Sequence, residues 1–537
     1  MSGKKSDRGR RPGPRALALG AIVVAVALVG LLAIGPWGGQ ATPSTTSGHA
    51  PSIPQPTGSA STPENPTATP IVTSLPTSGP LAAHGWPIYW QEDGLNGQGF
   101  DLEVSPDGTV YVSESGKPDL VFALDAIGHE RKGWLRLPDG KSLAPAAFGA
   151  DGSIYVLEPV GDGLAIPSGY NVFAFNSNGS LRFTRSVVAP LVEVLPTPSG
   201  GLYVEADYDN AKSTLTLLGP DGSVRNSASV DQIGLSGVFV RPDDTLLSLF
   251  YVPDSTTMSL TVYNPSLLKM STMSVPWTWM AIGPDGTVIV WTYDTYIAAE
   301  NVARDVVVAV IGSDGKPAVG WPVKLAGEVS YPAVGPDGSV YLVRRASGTE
   351  PSQLLAIGPN GKERTGWPIA LPAGALPLER WSPAAPGAPV IGADGTVYVV
   401  TEDAKHVESV IAYDSAGRIL SGWPVVLPAP LTFLGTGPCI DACFYEPPLF
   451  VSSPAGHGLL YLNVTGGILA MGEDGRAASG WPKATTGDTP FVGWTWRAGM
   501  PDGGLIALQA VAYNHDLLFD YTDFALTRWN ADGQVAR

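Results

Sequence analysis

The feature that most narrows the possible folds is a short motif repeated nine times along the chain. A turn of Asp-Gly type is followed by alternating β-branched and aromatic residues. It reads DGTVYV at Asp107, DGSIYV at Asp151, GGLYV at Gly200, DDTLLSL at Asp243 and DGTVIV at Asp285. It continues as DGSVYL at Asp337, DGTVYV at Asp394, HGLLYL at His457 and DGGLIA at Asp502, with spacings of 42 to 63 residues. Alternation with period two puts successive side chains on opposite faces of a strand. Pro-Asp-Gly suits a tight hairpin turn, because Pro presets φ and Gly accepts a positive φ. A repeat of this length cannot bury its sheet alone, so copies must stack on one another.

A second strand-turn-strand motif follows each first one, as in FALDAIGHERKGW from Phe122 or IAYDSAGRILSGWP from Ile411. A preceding inner strand, such as APVIGA before Asp394, completes four strands per unit. Four-stranded units repeated head to tail predict an all-β fold, a β-propeller. Nine motif pairs predict nine blades. Eight is the alternative, because the units around Gly200 and Asp243 lack the Gly-Trp-Pro ending. The last unit stops soon after its third strand, whereas HGWPIYW at 84–90 is an outer strand with no unit before it. The two ends are therefore expected to complete one shared blade, giving a propeller over 84–537 without open edges. The composition agrees: 65 Gly and 50 Pro with only 15% charged residues disfavour helical bundles.

The fuller units resemble the PQQ-like repeat of quinoprotein alcohol dehydrogenases and of the outer-membrane assembly lipoprotein propeller. The resemblance rests on Ala123, Asp125, Gly128 and Trp134, again on Ala412, Asp414, Gly417 and Trp423, and in part on Ala356, Gly361 and Trp367. The Gly-Trp-Pro endings are also similar to those of integrin-like extracellular repeat propellers. The enzyme branch of the first group implies PQQ, calcium and an adjacent Cys pair. Here the two cysteines, Cys439 and Cys443, are separated by three residues, which argues against PQQ, and the single Asp-Gly pairs read as turns rather than calcium sites, so neither cofactor nor metal is expected. The chain carries no HExxH zinc spacing and no GxSxG elbow.

Ahead of the repeats, residues 1–35 hold six basic side chains and one acid, then the uncharged run ALALGAIVVAVALVGLLAIG at 16–35. About 20 apolar residues span a bilayer core as a helix, and a basic flank stays cytoplasmic. The reading is a basic tail (1–15), a single-pass signal anchor (16–35) and an extracytoplasmic body; a cleaved secretory signal is the alternative. Residues 36–83 form a Pro/Ser/Thr-rich stretch expected to be a disordered stalk. The net charge of −17 argues against a nucleic-acid partner.

Trp86, Trp134, Trp321, Trp367, Trp423 and Trp481 recur at one place in the unit and read as packing wedges between blades rather than sugar platforms. Outside the cytoplasm, Cys439 and Cys443 are expected to form a disulfide. In a propeller, strand connections alternate between two faces. The turns between first and second strands, and between third and fourth, are short. The others vary, with long stretches at 159–170, 292–305, 372–387 and 428–448. Loops on a rigid scaffold are where binding concentrates. The candidate ligand-face residues are Asp294, Glu300, Glu379, Arg380, Trp381, Asp441, Phe444, Tyr445 and Glu446; the alternative is that these loops only plug the central opening. The expected function is a non-catalytic, monomeric binding or scaffolding module for an extracellular protein or glycan. The alternative is a propeller enzyme, quinoprotein-like or polysaccharide-active, with its site in the central channel.

Overall fold

The computed structural model describes Trp86 and, with internal gaps, residues 88–536. The tail, the apolar run and the stalk lie outside the described residues. Among those described, no helix is long and apolar enough to cross a membrane.

Among the described residues, nine sheets of three to five antiparallel strands follow one another along the chain, besides one two-stranded hairpin. We call them blades 1–9 and label strands a to d from the centre outward. Their strands fall within 100–124, 145–187, 191–231, 238–276, 279–325, 333–370, 376–426, 449–484 and 494–529. Strand a of blade 9 (Trp494–Gly499) lies against strand a of blade 1 (Phe100–Val104), which closes the ring. The outermost strand of blade 9 is not its own: Ile88–Gln91 pairs with the third strand, Asp520–Trp529, in the register Ile88↔Leu526 to Gln91↔Asp523. Val535 bridges to Trp529, and Trp86 packs with Val535 and Ala536 in the cluster at this seam. The outer edge of this blade is thus assembled from a strand preceding blade 1 and from strands at the end of the ring.

The core is divided among the seams. Among the described residues, nine buried apolar clusters occur, one for each pair of neighbouring blades. The cluster at the closure joins Trp86, Met500, Ile506 and Leu526 of blade 9 to Val110, Val112 and Leu124 of blade 1. This is the outcome period-two strands demand: a blade with two apolar faces is covered only by a neighbour on each side.

Polar groups stitch the same seams. The indole N–H of Trp86, Trp321, Trp423 and Trp481 donates to a carbonyl in the c–d turn of the next blade: Ala126 (3.1 Å), Pro359 (2.9 Å), Glu473 (3.0 Å) and Ala531 (3.3 Å). These four tryptophans and Trp367 are each 7% exposed, so the indoles are wedges rather than accessible platforms. Trp134 instead donates to Tyr111 Oη (2.8 Å) and lies over Gly179 of blade 2. Where the tryptophan is missing, other residues serve. Phe183 fills the space over Gly222, Asn226 Nδ2 reaches Pro265 O (2.9 Å) and Ser271 Oγ reaches Gly315 O (3.1 Å). That is why blades 3 and 4, whose endings are degenerate in sequence, still stack as full members and the count is nine. Gly320, ahead of Trp321, sits so near the blade 6 turn that a Cβ there would meet Asn360 O at 1.9 Å.

The motif tyrosines Tyr111, Tyr155, Tyr203, Tyr341, Tyr398 and Tyr461 are no more than 3% exposed. Tyr203 Oη donates to Asp244 O (2.7 Å) and Tyr461 Oη to Gly503 O (3.0 Å), each in the a–b turn of the next blade. Burial pushes the Tyr111 phenol up to about 12 and raises Tyr203 and Tyr461 further, so all three hydroxyls stay protonated.

Candidate functional site

The two faces of the ring differ in build. On one, the a–b turns at 105–109, 149–153, 197–201, 241–245, 335–339, 392–396 and 500–504 close with the same two backbone bonds. In most of them an Asp side chain also accepts the amide two residues on, as Asp107 does from Thr109 (3.0 Å) and Asp394 from Thr396 (2.9 Å). This is the three-residue turn with a left-handed last residue; Asp244 takes that place with φ 61° where Gly is absent. Arginines cross to these Asp side chains from the c–d connection of blade 6, in Asp337–Arg364 (2.7 Å), and from strand c of blade 9, in Asp502–Arg528 (2.6 Å). This face is short-looped and stapled.

The opposite face carries the b–c and d–a connections and is uneven. In blade 5 the stretch expected as a loop at 292–305 is instead the upper part of a tall hairpin, Val288–Ile297 paired with Val302–Ile311. Ten-residue strands stand about 16 Å above a five-residue strand such as Val340–Arg344 of blade 6. Its flank is pinned by Asp305, whose Oδ1 accepts the Gly327 N–H (3.0 Å). Blade 9 has an equally long pair, Leu505–Asn514 with Asp520–Trp529.

The two longest connections meet at blade 7. The one leaving blade 6 begins with Leu376–Pro377, which pairs onto strand b of blade 7 at Glu402 and Thr401. The one leaving blade 7 contains a small hairpin, Phe433–Leu434 with Phe444–Tyr445. Between them stands the b–c turn of blade 7, whose last rung pairs Glu402 directly with Glu408. Glu408 is 3% exposed, and its Oε2 accepts the Leu431 N–H at 2.7 Å. Its backbone carbonyl accepts the Leu427 N–H at 2.9 Å. Glu402 Oε1 meets His406 Nδ1 at 2.9 Å, while Glu402 Oε2 is buried with no hydrogen-bond partner among the described residues. His406 holds φ 61°, which leaves its side chain 75% exposed at the tip.

Of the ligand-face candidates, Asp294 lies on the tall blade 5 hairpin, and Phe444 and Tyr445 form one strand of the small hairpin between blades 7 and 8. Blade 6 intervenes, so the structure does not bring Asp294 together with the other two. Glu300, Glu379, Arg380, Trp381, Asp441 and Glu446 lie outside the described residues, as do Cys439 and Cys443 in the stretch between the hairpin's strands. Sequence reasoning missed Glu402, His406 and Glu408. The available signal was TEDAKHVES, two Glu around an Asx-type turn, which reads as an ordinary solvated tip until Leu431 is seen to fold onto it.

One further acidic pair lies off this face. Glu193 on strand a of blade 3 is directly opposite Glu205 on strand b. Burial first, then the Glu205 charge, push the Glu193 carboxyl up to about 7. Among the described residues, no group of three or more His, Cys, Asp or Glu side chains could hold a metal ion.

No protein-family model matches the chain, and no curated protein matches it. Solved structures do. A eukaryotic initiation factor is 11% identical over 82% of this chain and 88% of its own, with a TM-score of 0.42. The Dos1 propeller is 11% identical over 67% and 85%, with a TM-score of 0.36. The β-propeller domain of the Trilobed protease from Pyrococcus furiosus, described as having open velcro topology, is 11% identical over 62% and 93%, with a TM-score of 0.29. Likenesses this distant say nothing about activity.

Proposed function

We propose that this protein is a binding or scaffolding propeller that engages an extracellular protein or glycan through its uneven face, centred on blade 7. The observation that carries this reading is the contrast between the faces. One is closed by uniform tight turns, and on the other two long connections meet at a single rung of blade 7. A rigid ring presenting irregular loops on one side is the usual build of a recognition surface. In this reading the apolar run at 16–35 anchors the chain in a membrane with its N-terminus cytoplasmic. The stalk at 36–83 holds the monomeric ring outside, and a Cys439–Cys443 disulfide stiffens the hairpin loop, lowering the ordering cost of binding. Similarity to the PQQ-like repeat enters only as kinship of the blade unit.

The reading is tested by replacing residues 428–448 with a short turn. The variant is expected to keep its circular dichroism and unfolding midpoint. It should lose more than about tenfold in affinity for whichever protein or glycan the full chain retains in a pull-down or glycan-array screen. Undiminished capture by a folded variant would remove the hairpin from the binding surface.

A further inference from the structure

We propose that Glu408 is the positioning residue of this surface, a clamp that holds the foot of the Phe433–Tyr445 hairpin and ties it to the connection from blade 6. The inference rests on the functional reading above for its purpose, and on three observations for its substance. First, one residue makes both fastenings: the Glu408 carbonyl takes the Leu427 N–H (2.9 Å) and its carboxylate takes the Leu431 N–H (2.7 Å). The intervening segment has two prolines, Pro428 and Pro430, and so little backbone N–H of its own to offer.

Second, a carboxylate is an uncommon choice at 3% exposure, where burial of charge is costly. Apolar packing could have fixed a purely structural loop more cheaply. The carboxyl oxygen instead gives the Leu431 N–H an acceptor in a fixed place. The bond is also directional, which sets where the hairpin starts. Third, the rung is shared. Glu402, opposite Glu408, is the residue onto which Leu376 of the blade 6 connection pairs. On the far side, Leu431 bridges to Val464 and the Thr465 N–H donates to Pro430 O (2.7 Å), which fixes the same foot to blade 8. Two connections that are remote in sequence are therefore located from one rung, and the surface they form is one site.

The test is hydrogen exchange on the full chain, read at residues 427–445 and at blade 2 as an internal control. In the wild type, the Leu431 amide should exchange at least tenfold more slowly than a free loop amide. Glu408→Ala should raise that rate about tenfold or more, confined to 427–445, with blade 2 unchanged. Glu408→Gln, which keeps an acceptor oxygen, should restore protection. Affinity for the partner found in the screen should fall with Glu408→Ala while the unfolding midpoint holds. A fast Leu431 amide in the wild type overturns the clamp even if Glu408→Ala does not fold, and so does equal loss of protection in both variants. Local loosening with unchanged affinity would uphold the clamp and instead refute the hairpin as the binding element.

Discussion

Removing residues 1–91 is expected to open the ring. The deletion takes away the outermost strand of blade 9 and with it Trp86, a member of the closure cluster. Truncating a buried Trp to Ala typically costs about 3–5 kcal/mol, so Trp86→Ala alone should be among the most damaging point substitutions in the protein. The deletion should exceed it. It also exposes the edge of strand 520–529, now a ready template for pairing with other chains. Arg528, 6% exposed, would keep its bond to Asp502 (2.6 Å). Its bond to Ala126 O (2.6 Å) spans the opened seam and would be at risk. Urea unfolding of a chain starting at Leu81, of the same chain with Trp86→Ala, and of one starting at Glu92 should give falling stability in that order, with aggregation in the last. Equal midpoints for the first and last would mean that the N-terminal strand does not close the ring.

Glu193→Gln is expected to stabilise the ring in mildly alkaline solution. Like charges directly opposite in a sheet repel, and Glu193 is held against Glu205 near the blade 3–4 seam. The sign follows from the direction of the shift. The folded-state carboxyl, at about 7, binds its proton more tightly than the ordinary value of 4.5. Its contribution is therefore fully present below about pH 4.5 and is lost as pH rises through about 7. The loss amounts to about 3 kcal/mol at full deprotonation. Unfolding of wild type and variant, compared at pH 5 and pH 8.5, should show the variant gaining on the wild type by an amount of that order. A difference that does not change with pH would place the Glu193 proton elsewhere. Some of this gain is expected to be offset by the altered hydrogen bonding of the amide.

Much of this architecture could be read from one sequence, for a definite physical reason. Asp-Gly turns followed by period-two strands are local signals, and their regular recurrence carries the blade count. The orphan HGWPIYW segment and the unfinished last unit carry the closure. What could not be read was the partner of each motif residue. The tyrosine of GGLYV looks like any strand aromatic. Its hydroxyl reaches the next blade, about 40 residues on, as Tyr203 reaches Asp244. Likewise Phe183, Asn226 and Ser271 carry no motif, although each fills the place of a missing Trp ending.

The site was less legible than the fold. Connection length pointed to the uneven face and to blades 6 and 7. It misread 292–305, where alternation in VWTYDTYI continues a strand rather than beginning a loop. Glu408 could not be found from sequence at all. Its role depends on Leu431, which lies 23 residues away across a chain reversal that contains no repeat.

The claim that the uneven face is the binding face has one direct test. A photo-crosslinking phenylalanine analogue, which inserts into C–H bonds of protein and glycan alike, would replace Lys405 at the tip of blade 7. In a second full-length chain it would replace Lys362 in the tight c–d turn of blade 6. Irradiation on intact cells should give a covalent adduct from position 405 and none from position 362. Adducts from position 362 alone would contradict the account and move recognition to the stapled face.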